Sequence, residues 1–166
     1  NVLKTPAHIN VDTGVAKVIN NQLKPEHEIF IVEMGAYRKG EIQKICDLVK
    51  PTRGLITGLS SQHLELFGSL KAIAEAKFEL IAAIDEPSMI IANSDSKPLI
   101  IEFKRRSVAP VWYGLSERAV LEARNSKITA DGLSFTINNT SFSGTVFGKA
   151  ALNNLLGAIT MAQNLG

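Results

Sequence analysis

Several features that mark particular protein classes are scarce or missing in this sequence of 166 residues. Cys46 is the single cysteine, so no internal disulfide can form, and we interpret it as a buried thiol in a reducing, cytoplasmic setting. The net charge is only +2, and no basic face with interleaved aromatic residues predicts nucleic-acid binding. No apolar run approaches the roughly 18 residues of a membrane helix, and no signal-peptide pattern is present. We therefore expect no nucleic acid and no membrane as partner.

The composition that is present is typical of a globular protein. Hydrophobic residues make up 45% of the sequence and charged residues 20%, which argues against disorder and against a fibrous repeat. The length matches the soft prior of about 150 residues for one domain. We expect a single domain over residues 1–166.

Strand and helix patterns alternate through the first half of the chain. The apolar, β-branched run Ile29–Val32 predicts a strand buried on both faces, and a helix with apolar residues from Ile42 to Val49 follows it. The same order then repeats, with a strand at Leu55–Thr57, a helix at Ser69–Ile84 and a strand at Met89–Ala92. Short connections between such elements require right-handed crossovers. The fold class is therefore α/β, with a mostly parallel sheet flanked by helices.

The two ends of the chain have different patterns. Asn1–Asn10 is predicted to be a loop, because Pro6 excludes helix at Thr5, and a helix capped by Asp12 is predicted to end before Pro25.

The C-terminal part predicts further strands, an antiparallel β-hairpin and a closing helix. The strands are predicted at Leu99–Ile101, at Val111–Tyr113 and between Val120 and Ile128, the hairpin at Asp131–Gly132 with the alternating run Leu133–Ile137, and the helix at Ala150–Leu165.

One helix carries a cation where its apolar face is expected. The apolar residues of that helix are Leu70, Ile73, Ala74, Ile81 and Ile84. Lys77 falls on the same face. Either its methylene groups lie along apolar surface with the ammonium in water, or the helix directs Lys77 into a polar site beside His63 of the preceding loop.

Polar side chains follow three of the predicted strands. They are Glu33 after the first, Thr57 and His63 after the second, and Asn93 and Asp95 after the third. Ligands of open parallel sheets bind beyond the carboxyl ends of the strands, and oxygen ligands favour Mg²⁺. The alternative for Glu33 is a partner of the following helix N-terminus, and the alternative for His63 is an ordinary surface residue.

Together, several ordered segments resemble the central domain of the Mur ligases, a P-loop NTPase-like domain, and within that family the branch that adds D-alanyl-D-alanine to the cell-wall precursor. The segments are Thr5–Gly14, Glu33–Ile42, Val49–Pro51, Thr57 with His63–Ser69, Ala74–Lys77, Asn93–Asp95 and Gly148–Gly166.

This resemblance implies an ATP-dependent amide ligase of peptidoglycan precursor synthesis that acts through an acyl phosphate. It implies substrates as partners: a nucleotide, a UDP-linked muramyl peptide, and an amino acid or dipeptide. It also implies ATP and Mg²⁺ as cofactors, with Glu33, His63 and a carbamylated Lys77 as catalytic metal ligands. The other residues that it implicates are Asn93, Asp95, Asn153 and Asn154 for the cofactor and Thr5, Asn10, Asp12 and Arg38 for the substrate.

The chain also departs from the family pattern. The phosphate-binding Gly-x-x-Gly-Lys-Thr/Ser loop and the family's C-terminal domain are absent from the sequence, so we expect a fragment of a longer enzyme that is inactive by itself. In the matched segments, residues usual in the family are replaced by Ala7, His8, Val11, Asp12, Gly58, Ala150 and Ala151. Two alternatives follow, a non-catalytic Mur-ligase-like binding module and a related ligase with another acceptor, such as a folate polyglutamate.

Overall fold

The structure is a computed structural model that describes residues 1–59, 64–121, 123–145 and 148–166. The chain divides into two compact units. The first unit comprises Asn1–Pro51 and Ser60–Ala83, and the second comprises Thr52–Leu59 and Ile84–Gly166.

In chain order the helices and strands are β1 (Val2–Lys4), α1 (Asp12–Gln22), β2 (Ile29–Ile31), α2 (Glu41–Val49), β3 (Gly54–Ile56), α3 (Leu64–Phe67), α4 (Leu70–Ala82), β4 (Ile90–Asn93), α5 (Lys97–Arg105), β5 (Val111–Tyr113), β6 (Arg124–Thr129), β7 (Gly132–Ile137), β8 (Thr140–Gly144) and α6 (Gly148–Leu165). Strands and helices alternate up to β5, apart from the consecutive helices α3 and α4, and three further strands then precede the last helix.

The first unit contains a parallel pair of strands that the sequence only half predicts. β1 pairs with β2, with Val2 opposite Ile29 and Lys4 opposite Ile31. The predicted loop at Asn1–Asn10 is therefore wrong for its first residues, since three residues are too few to show alternation and β1 exists through its pairing with β2. β2 is also not buried on both faces, because Ile31 is 56% exposed.

Helices α2 and α4 of this unit pack against each other. α2 buries Ile42, Ile45 and Cys46, as its spacing predicts. α4 begins after Ser69, whose Oγ accepts a hydrogen bond from the Ala72 N–H at 3.1 Å and caps the helix.

The predicted apolar face of α4 is confirmed at most of its positions. Its buried residues are Ile73, Ala74, Ala76, Phe78 and Ile81. Leu70 is 48% exposed, so the buried face begins one turn later than the sequence predicts.

The second unit contains the parallel sheet predicted from the strand–helix alternation. Its order is β3-β4-β5, and every residue of the central strand β4 is buried. Because β4 is hydrogen-bonded on both sides, its carboxyl end lies between those of β3 and β5.

One of the predicted strands in this unit is wrong. Leu99–Ile101 lies in helix α5, with Pro98 in the first turn and with Leu99 and Phe103 buried four residues apart on one face. Ile101 is 64% exposed. Three consecutive apolar residues fit a strand or a helix equally, and here the spacing of Leu99 and Phe103 decides for the helix.

The predicted hairpin is confirmed and forms part of an antiparallel sheet ordered β6-β7-β8. β7 buries Leu133, Phe135 and Ile137, while the residues between them are half-buried. β8 is an additional strand, joined to β7 through Asn138 and Asn139, whose positive φ angles suit a tight hairpin turn. The buried face of β7 packs against α6 and the parallel sheet in one core.

Helix α6 closes the chain close to where the sequence predicts it. Its buried residues include Leu152 and Leu156, which belong to the same core as Tyr113 of β5. Within the part of the chain that the structure describes, no helix combines the length and the apolarity needed to cross a membrane.

Candidate functional site

A cavity of about 210 Å³ lies within the first unit. It is formed by the loop after β2, the start of α2, the end of α3 and one face of α4. Its lining residues are Asn10, Glu33, Met34, Gly35, Ala36, Tyr37, Ile42, Phe67, Ile73, Ala76 and Lys77. Two residues predicted from the sequence, Glu33 and Lys77, are thus brought to one cavity, and Asn10 joins them.

Glu33 is held in the cavity wall by two residues from the segment before α1. The buried Thr5 accepts a hydrogen bond from the Glu33 N–H through its Oγ1 at 3.1 Å. Asn10 donates from Nδ2 to Glu33 Oε1 at 3.4 Å, and its carbonyl oxygen accepts from the Gly35 N–H at 2.7 Å. Thr5 thus holds the backbone of Glu33, while Asn10 holds the backbone of Gly35 and contacts the Glu33 carboxylate. Their predicted role in substrate binding stays a prediction.

Lys77 lies on α4 among apolar neighbours that include Ile73 and Ala76. Burial lowers the pKa of Lys77 from the ordinary lysine value, because a charged ammonium loses hydration there. A lowered pKa increases the fraction of neutral amine at a given pH. Of the two explanations drawn from the sequence, the cavity favours the one in which Lys77 faces a polar site.

His63, the third predicted metal ligand, lies outside the described residues. Among the residues that are described, no group of three His, Cys, Asp or Glu side chains is placed to hold a metal ion. A metal set that includes His63 and a modified Lys77 therefore stays a prediction.

Asp12 and Arg38 are not among the described residues that line this cavity. Asp12 lies in the first turn of α1, where its Oδ1 accepts a hydrogen bond from the Thr13 N–H at 2.7 Å. The N-cap residue of α1 is Val11, one position before the predicted cap. Arg38 is exposed, and its N–H donates to Glu41 Oε2 at 3.1 Å.

The far end of the cavity loop is bound by Glu79, which sequence reasoning missed. Its Oε1 accepts from the Gly40 N–H at 2.6 Å, and its Oε2 accepts from the Gln43 N–H at 3.0 Å. Gly40 and Glu79 are 39 positions apart in the chain, so no local pattern in the sequence links them.

In the second unit, Asn93 and Asp95 connect the ends of three parallel strands. Asn93 donates from Nδ2 to the Thr57 carbonyl oxygen at 2.9 Å and accepts from the Asp95 N–H at 2.9 Å. Asp95 Oδ2 accepts from the Leu115 N–H at 3.1 Å. These bonds hold the strand ends in place, and contacts of Asn93 and Asp95 with a cofactor stay a prediction.

The remaining predicted cofactor residues lie next to each other on α6. Asn154 is exposed, whereas Asn153 is half-buried. The buried Oδ1 of Asn153 has no hydrogen-bond partner among the described residues. Their role towards a cofactor is also untested.

Comparison with known proteins gives one consistent result. The Mur ligase middle domain family matches residues 1–162. A UDP-N-acetylmuramoyl-tripeptide--D-alanyl-D-alanine ligase from Synechocystis is 38% identical over 166 residues, which is 100% of this chain and 35% of that protein.

Two solved structures are similar over nearly the whole chain. MurF from Acinetobacter baumannii has a TM-score of 0.88 at 22% identity, with 99% of this chain and 37% of that chain covered. The MurF ligase from Thermotoga maritima in complex with ADP has a TM-score of 0.82 at 25% identity, with 99% and 39% covered.

The chain therefore spans little more than a third of the length of these relatives. The family match, by contrast, extends over almost every residue of the chain. Because that match covers residues 1–162 and includes the loop of Glu33 and the helix of Lys77, the chain belongs to the Mur ligase middle domain family.

Proposed function

We propose that this chain is the central, ATP-handling part of an amide-bond-forming ligase that adds D-alanyl-D-alanine to a UDP-linked muramyl peptide. The observation that carries the proposal is the common cavity of Glu33 and Lys77, in a chain that is 38% identical to a ligase of that name. The ADP complex of the Thermotoga maritima relative supports a nucleotide as ligand.

The proposed reaction has two steps. A carboxylate of the muramyl peptide attacks the γ-phosphorus of ATP, which forms an acyl phosphate and releases ADP. The amino group of the dipeptide then attacks the acyl carbon, and the amide bond forms as inorganic phosphate leaves and the amine loses a proton. Both steps concentrate negative charge on phosphoryl oxygens, so positioned charge and orientation supply most of the catalysis.

The residues in the cavity fit a Mg²⁺ ion if Lys77 is carbamylated. An ammonium repels a cation, whereas the reaction of the neutral amine with CO₂ forms an N–C bond, releases a proton and leaves a carboxylate. The lowered pKa of Lys77 favours the neutral amine that this step needs. Glu33 and the carbamate would then offer the hard oxygen ligands that Mg²⁺ prefers. The metal would neutralise charge on the transferring phosphoryl group.

Thr5 and Asn10 contribute by orientation. Thr5 holds the backbone of Glu33 and Asn10 contacts its carboxylate, so both favour one orientation of this side chain before a ligand binds. Such preorganisation avoids rearrangement during the reaction. The second unit, in which hydrogen bonds join the strand ends, is the proposed location of the nucleotide contacts. The residues proposed to make them are Asn93, Asp95, Asn153 and Asn154.

The test uses the full-length protein that carries this chain, because the relatives are almost three times as long. Phosphate release from ATP is measured with a UDP-linked muramyl tripeptide and D-alanyl-D-alanine, and in parallel with a folate and glutamate. Release that requires the muramyl peptide and the dipeptide is the expected result. Release only with folate and glutamate identifies the other ligase branch, and ligand binding without any release identifies a non-catalytic module.

The role of Lys77 is tested by substitution with a matched control. Lys77→Ala is expected to lower turnover by at least about 100-fold, the typical effect of removing one preorganised electrostatic group. Short carboxylic acids are expected to restore part of the activity by occupying the place of the carbamate. The control is Lys71→Ala, which removes an exposed lysine of the same helix and is expected to leave turnover unchanged. Full activity of Lys77→Ala would refute the proposed role.

A further inference from the structure

Helix α2 begins without a capping side chain of its own. Its N-cap residue is Gly40, which has a φ of 91° and no side-chain hydrogen bond to the first turn. The first N–H groups of a helix have no partners inside the helix and need acceptors from elsewhere. Glu79 of α4 supplies acceptors for two of these groups, with Oε1 at 2.6 Å from the Gly40 N and Oε2 at 3.0 Å from the Gln43 N.

This single carboxylate replaces two local side chains. In a capping box, one side chain accepts from the N–H at the third helical position, and a second accepts from the N–H of the cap residue. Gln43 and Gly40 are those two positions of α2, and Glu79 binds both from another helix. A negative charge is also favourable at the positive end of the helix dipole.

The consequence concerns the loop 33–40, which opens with Glu33 and ends at Gly40. Thr5 binds its first N–H, the Asn10 carbonyl oxygen binds the N–H of Gly35, and Glu79 binds its last N–H. Glu79 joins the backbone of the loop to α4, the helix that carries Lys77 two residues earlier. The pair of Lys39 with Glu75 also links the loop to α4, but through the exposed side chain of Lys39. Glu79 is not among the described residues that line the cavity.

We propose that Glu79 is a positioning residue that fixes the loop 33–40 against α4 and thereby sets the position of Glu33 relative to Lys77. It acts through backbone N–H groups and does not touch the reacting atoms. The inference rests on the proposed function only where it concerns metal and turnover. It predicts that loss of Glu79 changes the geometry of the cavity in addition to the stability of α2.

The competing explanation is a cap that stabilises α2 and nothing more. Ser69 provides the matched control, because its Oγ caps α4 itself, by accepting from the Ala72 N–H at 3.1 Å. Ser69→Ala removes this cap and is expected to lower the free energy of unfolding without changing the loop. Glu75→Ala is the second control, since Glu75 lies one turn before Glu79 on α4 and pairs with the exposed side chain of Lys39, not with the backbone of the loop.

The first measurement is amide hydrogen exchange in the full-length protein without ligands, which does not depend on activity. Glu79→Ala is expected to accelerate exchange by about 10-fold or more at Gly40, at Gln43 and also at Gly35, because the loop opens as one segment. Glu79→Gln retains one acceptor oxygen and is expected to fall between Glu79→Ala and the unsubstituted protein. Faster exchange confined to Gly40 and Gln43, or the same effect at Gly35 in Ser69→Ala, would overturn the proposal.

The second measurement is the Mg²⁺ concentration that gives half-maximal ligase activity. Glu79→Ala is expected to raise it by about 10-fold, the lower end of the effect of losing groups that orient metal ligands, and Glu79→Gln by less. Ser69→Ala and Glu75→Ala are expected to leave it unchanged. An unchanged Mg²⁺ requirement in Glu79→Ala would overturn the proposal. If the unsubstituted protein has no ligase activity, the proposed function fails, and the exchange measurement still decides whether Glu79 positions the loop.

Discussion

Substitution of Gly157 by alanine tests the packing of α6 against β5. Alanine normally stabilises the interior of a helix relative to glycine by about 1 kcal/mol. Here a Cβ at position 157 would lie 2.9 Å from Cζ, 3.1 Å from Cε2 and 3.2 Å from the hydroxyl oxygen of Tyr113. Tyr113 is fully buried, so its ring cannot relieve the contact by turning into solvent.

Gly157→Ala is therefore expected to lower the free energy of unfolding, the reverse of the usual effect of replacing glycine by alanine within a helix. Insertion of a methyl group into a packed core costs about 1–3 kcal/mol, and the gain in helix propensity offsets about 1 kcal/mol of that. Because the new Cβ would meet three atoms of one buried side chain, the cost is expected in the upper part of that range, about 2–3 kcal/mol. The net effect is then a loss of about 1–2 kcal/mol in the free energy of unfolding. The loss falls on the second unit, which contains both Gly157 and Tyr113.

The assay is urea denaturation followed by the fluorescence of Trp112. This residue is the single tryptophan of the chain and precedes Tyr113 in β5, so its signal reports the unit under test. The control is Gly14→Ala in α1, followed by circular dichroism. Its Cβ would meet Ile9 Cγ2, also at 2.9 Å, but Ile9 is half-buried, so this methyl group has room to move when the side chain rotates about its Cα–Cβ bond. We expect Gly14→Ala to be neutral or stabilising.

Equal or higher stability of Gly157→Ala would refute the reasoning. It would mean that the ring of Tyr113 does not lie close enough to Gly157 to exclude a methyl group there. A similar loss in Gly14→Ala would also count against it, because the argument depends on the difference between a fixed ring and a movable side-chain end.

Two further predictions concern buried groups. The Tyr113 hydroxyl has no hydrogen-bond partner among the described residues, so Tyr113→Phe is expected to avoid the usual loss of about 1 kcal/mol for a broken hydrogen bond. Urea denaturation followed by Trp112 measures this, and a loss of that size would reveal a partner for the hydroxyl. Burial, followed by the charges of Asp47 and Glu79, raises the pKa of Cys46 from 9.0 to about 11. Since the folded state favours the neutral thiol, stability is expected to be full below pH 9.0 and to fall as the pH rises through about 11. The urea midpoint of Cys46→Ala, measured at several pH values, should fall less over this pH range than that of the unsubstituted protein. An identical fall would contradict the assignment of this pH dependence to Cys46.

Much of the fold was predictable because its signals are local. Consecutive β-branched residues and helical spacing indicate β2, β4, α2 and α4, and short connections between them require parallel pairing. The strand at Leu99–Ile101 was wrong because three apolar residues carry no period of their own. β1 was missed for a related reason, since its three residues form a strand only through β2.

The candidate site divides in the same way. Glu33 and Lys77 were predicted from a strand end and from a cation on an apolar helix face, and the structure places both in one cavity. The partners of Asn93 and Glu79 could not be predicted, because they are backbone groups 36 and 39 positions away in the chain.

The sequence by itself thus determined the α/β class, the order of the motifs and two of the residues at the cavity, Glu33 and Lys77. Each of these depends on residue type and spacing within one or two neighbouring elements, and such information is present before the chain folds. Only the tertiary structure decided that Thr5 and Asn10 bind Glu33 and that Glu79 holds the far end of its loop. Those contacts join distant segments, and their geometry exists only after β1 has paired with β2 and α2 has packed against α4.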